Sequence, residues 1–151
     1  MAYPEGLLKT RAVIRPGEYA VIPPQGRVRN VIPGIEGCTM SIIASPKLGA
    51  SFVQYVGTAL PGGGTVTPFA QEPDVEAFLY VMDGQGTLTA TTCGHKEVLA
   101  PGGYVFSPAG KGLAFTNTTS APVRFLLYKQ RYTALPGHEA EPVFGNTATM
   151  E

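Results

Sequence analysis

The stretch GTVTPFAQEPDVEAFLYVMDG, residues 64–84, decides the fold. It reads Gly64-x5-Ala70-x-Glu72-x4-Ala77-x6-Gly84 and is followed by a second spaced set, Gly102-x5-Pro108-x-Gly110-x2-Leu113-x3-Asn117. The outer positions are residues that shape turns, since glycine tolerates positive φ and proline fixes φ at about −65°. The inner positions Ala70, Ala77 and Leu113 carry hydrocarbon, and Glu72 alone carries a donor oxygen. Between them, Ala77–Met82 is short, apolar and bounded by Pro73 and by Asp83-Gly84-Gln85-Gly86, a hairpin signal. That combination predicts a strand and a tight turn.

Outward from this stretch, strand-like runs recur every eight to twelve residues. They are Tyr19–Ile22, Val28–Ile32, Met40–Ala44, Ser51–Ala59, Thr87–Thr91, Glu97–Leu99, Tyr104–Ser107, Leu113–Asn117 and Val123–Tyr132. Phe52, Gln54 and Val56 alternate with Val53, Tyr55 and Gly57, the period of a half-buried strand. No window of a dozen residues sustains a helical period; at most there is a short turn near Glu5–Thr10. Many short strands with regular turn punctuation predict an all-β sandwich or barrel. Leading strands and an arm are expected over 1–40, a barrel over 41–132, and a linker or arm over the polar 133–151.

The chain has 151 residues, enough for one domain with a real core. Nineteen glycines, 14 prolines and only 15% charged residues suit strands and turns better than long helices. Eleven basic and eleven acidic residues cancel, so no field draws in nucleic acid or an anionic membrane. Cys38 and Cys93 lack metal-ligand spacing and are expected to be reduced thiols. The N-terminus carries no apolar run of signal-peptide length, and no segment approaches 18 apolar residues, so a cytoplasmic protein is expected.

The two spaced sets resemble the paired motifs of the cupins, G-x5-H-x-H-x4-E-x6-G and G-x5-P-x-G-x2-H-x3-N. The resemblance implies a single jelly-roll barrel, a double-stranded β-helix, with an N-terminal strand arm and a linker-like tail. It also places Ala70, Glu72, Ala77 and Leu113 at the four metal-binding positions. A transition metal needs three or more imidazole, thiolate or carboxylate ligands. One carboxylate is too few, so no metal is expected in this chain. Ala77, Leu79, Val81, Leu113 and Phe115 are expected to line a filled or apolar barrel interior, and Leu79, Tyr104, Leu113 and Phe115 are the candidates to line its mouth.

Other candidate chemistry is weak. His95 sits in a turn and His138 in the tail, where solvated side chains are expected. Glu72, Asp74 and Glu76 have no evident partner to tune them as an acid–base pair, so a solvated loop is expected. Cys93 lies two residues from His95, a faint thiolate–imidazole signal. Gly62-Gly63-Gly64 lacks the following helix and Lys-Ser/Thr of a phosphate loop. No catalytic residue emerges.

The runs SPKLGASFVQY (45–55), EAFLYVMDG (76–84), GGYVFSPAG (102–110) and FLLYKQRY (125–132), with VRNVIPGIEGC (28–38), resemble ureidoglycine aminohydrolase. That family has two cupin barrels, and the likeness runs from about Arg11 to Asn146 on the N-terminal barrel. It implies a role in allantoin catabolism, where (S)-ureidoglycine and water give (S)-ureidoglycolate and ammonia. It also implies manganese in the second barrel and a structural role for this half, without activity of its own. A second barrel or another subunit is the expected partner, in a homo-oligomer: Phe78, Tyr80 and Met82 alternate with Leu79 and Val81, so this strand is apolar on both faces. Two rival readings are a free-standing cupin that binds a small organic ligand, and a metal-free single-cupin enzyme.

Overall fold

A computed structural model describes residues 11–150; the turn expected near Glu5–Thr10 lies outside them. Among the described residues eleven strands form: β1 (Val13–Arg15), β2 (Tyr19–Val21), β3 (Ile35–Ala44), β4 (Phe52–Thr65), β5 (Val75–Gly84), β6 (Leu88–Thr92), β7 (His95–Leu99), β8 (Gly103–Ser107), β9 (Ala114–Thr116), β10 (Val123–Arg131) and β11 (Val143–Asn146). The described residues form an all-β, nearly closed jelly-roll barrel, with β1 and β2 as a separate hairpin. No helix of the described residues is long and apolar enough to cross a membrane.

One wall runs β3–β4–β10–β5–β8–β11, and the other β9–β6–β7. β4 belongs to both, because Gly64 at its far end pairs with Thr116 of β9. The crossing explains Gly62-Gly63-Gly64. A Cβ on Gly63 would lie 2.2 Å from the Gly37 carbonyl oxygen, and one on Gly64 2.1 Å from that of Phe115. The triplet is a strand bend where backbones nearly touch, as glycine alone permits.

Alternation fills the interior. Leu79, Val81, Val105, Phe125 and Leu127 are fully buried on the inner face of the first wall, and Leu88, Ala90 and Phe115 on that of the second. Phe115 and Phe125 meet edge to face across the barrel, 5.1 Å between ring centroids. Side chains of this size each contribute about 1.5–3 kcal/mol on burial.

Two expectations are corrected. Val28–Ile32 is not a strand: only Asn30 bridges, to Met40. Its backbone N–H donates to the Met40 carbonyl, and its Oδ1 accepts from the Ile42 N–H, so the Asn30 side chain replaces the next ladder bond. The neighbouring Val31 is almost wholly exposed. Strand formation also does not end near Tyr132. β11 returns antiparallel onto β8, with Phe144 opposite Val105 and Gly145 opposite Tyr104. Gly145 is required there, because a Cβ would sit 2.4 Å from the Tyr104 hydroxyl oxygen.

Candidate functional site

The two spaced sets converge at one end of the barrel. Phe69 and Leu113 form an isolated bridge, each N–H donating to the other's carbonyl at 2.8 Å. The Gly110 N–H donates to the Val75 carbonyl at 3.1 Å, tying the second turn to the start of β5. Gly110 adopts φ +75°, and a Cβ there would press on Pro73 at 3.2 Å. These contacts place Ala70 beside the Phe69 bridge, Leu113 across it and Ala77 on the inner face of β5.

Asn117 anchors the second set. It is fully buried; its Nδ2 donates to the carbonyls of Ala59 (3.0 Å) and Ala121 (2.8 Å), and its Oδ1 accepts from the Thr119 N–H (2.9 Å) and hydroxyl. One side chain therefore closes the β9–β10 turn and locks it to β4. Behind Leu113, the Thr92 and Ser107 hydroxyls lie 2.7 Å apart and both contact the Gly112 carbonyl. This buried polar cluster is internally satisfied and offers nothing to a ligand.

The donor set does not fit a transition metal. Ala70, Ala77 and Leu113 are buried hydrocarbon, and Glu72 is an exposed rim carboxylate. Among the described residues no three His, Cys, Asp or Glu side chains group together to hold an ion. Ala70 adopts φ +56°, unusual for a residue with a side chain.

Of the residues expected at the mouth, Leu79, Leu113 and Phe115 are sealed in the core. Tyr104 is elsewhere. It points outward from β8 and stacks on Phe78, 5.8 Å between centroids. Strand parity is the reason: Val105 and Ser107 take the inner face, so Tyr104 and Phe106 take the outer.

The residues that do shape the open end were not singled out by motif. Tyr55 on β4 packs edge to face against Phe69 at 5.8 Å, and the Lys129 Nζ lies 5.6 Å from the centroid of the same ring. Burial raises the Tyr55 hydroxyl above the usual phenol range, and the nearby Glu72 carboxylate raises it further. A parity count on the strand predicted over Val123–Tyr132 would have found Lys129, since it shares the inward set with Phe125 and Leu127.

The acidic stretch is divided by the fold. Asp74 pairs with Arg131, Glu72 stands at the rim, and Glu76 lies within β5 rather than in the loop, its carboxyl raised by burial. His95 and His138 are exposed. Cys38 and Cys93 are both free. Burial pushes the Cys38 thiol up to about 11, which leaves it inert at neutral pH.

Residues 58–128 match the family model described as the cupin domain. The chain is 40% identical over 149 residues to (S)-ureidoglycine aminohydrolase of Escherichia coli, covering 99% of this chain and 56% of that protein. It is 25% identical over 138 residues to (S)-ureidoglycine aminohydrolase of Arabidopsis thaliana, 91% of this chain and 44% of that one. The crystal structure of protein Ylba from E. coli superposes with a TM-score of 0.89 at 39% identity, covering 99% of this chain and 61% of that one. The chain thus spans about half the length of the curated relatives it matches.

Proposed function

We propose, from a chain that is a cupin barrel homologous to ureidoglycine aminohydrolases over about half their length, that it is the metal-free, scaffolding N-terminal half of such a protein in allantoin catabolism. In that reading the whole protein releases ammonia from (S)-ureidoglycine to give (S)-ureidoglycolate in the cytoplasm. The chemistry belongs to a second, ligand-bearing barrel that binds manganese. The carrying observation is the intact motif backbone with hydrocarbon at three of its four ligand positions. The purified chain, given (S)-ureidoglycine and Mn²⁺, is expected to release ammonia no faster than the uncatalysed solution. Metal-dependent turnover by this chain alone would overturn the assignment.

A scaffold needs a surface to hold its partner. The outer face of β4–β10–β5–β8 carries Phe52, Tyr128, Phe78, Phe106 and Tyr104 in continuous aromatic contact or cross-strand register. All five are only partly covered. Burial already raises the Tyr128 hydroxyl above its ordinary range. The N-terminal arm adds exposed Val13, Ile14, Tyr19 and Val21. Apolar area of this kind marks an interaction surface. The occupant is a second cupin barrel, in the same protein or in another subunit of a homo-oligomer. Sedimentation is expected to show association, weakened at least tenfold by Phe78→Ser with Tyr128→Ser. A strictly monomeric particle at high concentration would sink this face as an interface.

In the rival reading, a free-standing cupin that binds a small organic ligand, the ligand would sit at the open end, because Leu79, Leu113 and Phe115 fill the interior.

A further inference from the structure

The open end of the barrel holds two opposite charges that do not satisfy each other. A pocket of about 270 Å³ lies where β4 begins and β10 ends; its polar walls are Ser51, Glu72, Asp74, Lys129, Gln130 and Arg131. Arg131 and Asp74 are paired with one another. Lys129 and Glu72 make no ion pair among the described residues, although both line the same pocket.

Lys129 is held in place. Its strand neighbours are Ala77 on β5 and Val53 on β4, so its stem runs along the inner face next to one of the positions that lost a metal ligand. The Phe69 ring lies beneath its Nζ. A ring face attracts the ammonium but takes up none of its N–H donors, which stay available to an acceptor in the pocket. Glu72 lines the same pocket, and its carboxylate raises the hydroxyl of Tyr55, whose ring packs edge to face on Phe69. An ammonium and a carboxylate therefore line the same pocket.

We propose that this pocket is a binding site for a small zwitterion of α-amino-acid size. The ligand's carboxylate would be held by the Lys129 ammonium, with Ser51 and Gln130 as further donors, and its ammonium by Glu72. The opposite charges discriminate. A simple carboxylate is repelled by Glu72, and a simple amine by Lys129, whereas a zwitterion is attracted at both ends. Phe52 of the outer aromatic face forms one wall, but the charged set comes wholly from this chain, so the titration tests the site separately from the scaffolding assignment.

The test is titration of the full chain with glycine, acetate and methylammonium at low ionic strength, read by backbone amide chemical shifts. Glycine is expected to give saturable shifts at Val53, Glu72 and Lys129, at least tenfold tighter than acetate or methylammonium. Lys129→Met keeps the apolar stem over Phe69, and Glu72→Gln keeps the shape of the rim. Each is expected to weaken glycine at least tenfold while the remaining amide spectrum is unchanged. No saturable shift with glycine overturns the proposal. So does acetate binding as well as glycine, or unchanged glycine affinity in Lys129→Met.

Discussion

Asn117→Ala is expected to destabilise the barrel by about 3 kcal/mol, lowering the thermal midpoint by roughly 10 °C for a chain of this length. The side chain is fully buried and makes four contacts, two as donor and two as acceptor. Truncation removes the buried donor to the Ala59 carbonyl and the acceptor of the Thr119 N–H, while the Ala121 carbonyl keeps only the Thr119 hydroxyl at 3.3 Å. Each buried, unpaired group costs about 1–3 kcal/mol, with partial relief from relaxation or entering water. Asn117→Asp separates the hydrogen bonds from the shape. It is isosteric and keeps both acceptor contacts, but at neutral pH it points an oxygen without a hydrogen at two carbonyls. It is expected to be no more stable than the alanine variant. Denaturant unfolding measures both, and an Asn117→Ala loss below about 1 kcal/mol would show that Asn117 does not anchor the turn.

The second large effect is a gain. Ala70→His, Ala77→Glu and Leu113→His together, with native Glu72, are expected to raise affinity for Zn²⁺ or Mn²⁺ from millimolar or weaker to about micromolar. That is roughly a thousandfold change, or about 4 kcal/mol. The reason is that the loops are already in place. The two-way Phe69–Leu113 bridge and the Gly110–Val75 bond bring three of the four positions together without any help from a metal. Only donor atoms are missing.

Lys129 is the foreseeable competitor, because it lies directly across from position 77 and would pair with a carboxylate placed there. Adding Lys129→Met is therefore expected to tighten the metal further. Calorimetry gives the affinity, and a thermal midpoint that rises with metal shows that the folded state is what binds. A folded variant with neither heat nor midpoint shift would mean that the motif backbone no longer aims its side chains inward.

Much of the fold was legible because strands announce themselves locally. β5 was readable from Ala77–Met82 and β10 from Val123–Tyr132, since period-two alternation and flanking turn residues need no knowledge of the partner strand. Val28–Ile32 looked equally strand-like. It failed because Asn30 spends its side chain on the Ile42 N–H, a choice visible only once β3 is alongside. β11 was missed for the converse reason. Val143–Asn146 is short and contains a glycine, and it becomes a strand only because β8 offers an edge on which the Tyr104 ring needs a neighbour without a Cβ.

The sequence by itself determined what this barrel's motif positions lack: alanine and leucine have no lone pairs in any conformation, so the missing metal donors at 70, 77 and 113 could be read one residue at a time. The spaced glycines, Pro108 and Asn117 likewise announced the turns, because their backbone preferences are intrinsic. Only the tertiary structure decided which face each side chain takes and what it meets there. Tyr104 went to the outer wall and Leu113 into a sealed core, while Lys129 and Glu72 came to line one pocket from segments more than fifty residues apart. The physical reason is that chemical identity is local, whereas opposing charges sharing one pocket require strand registers and a closed barrel to bring them there.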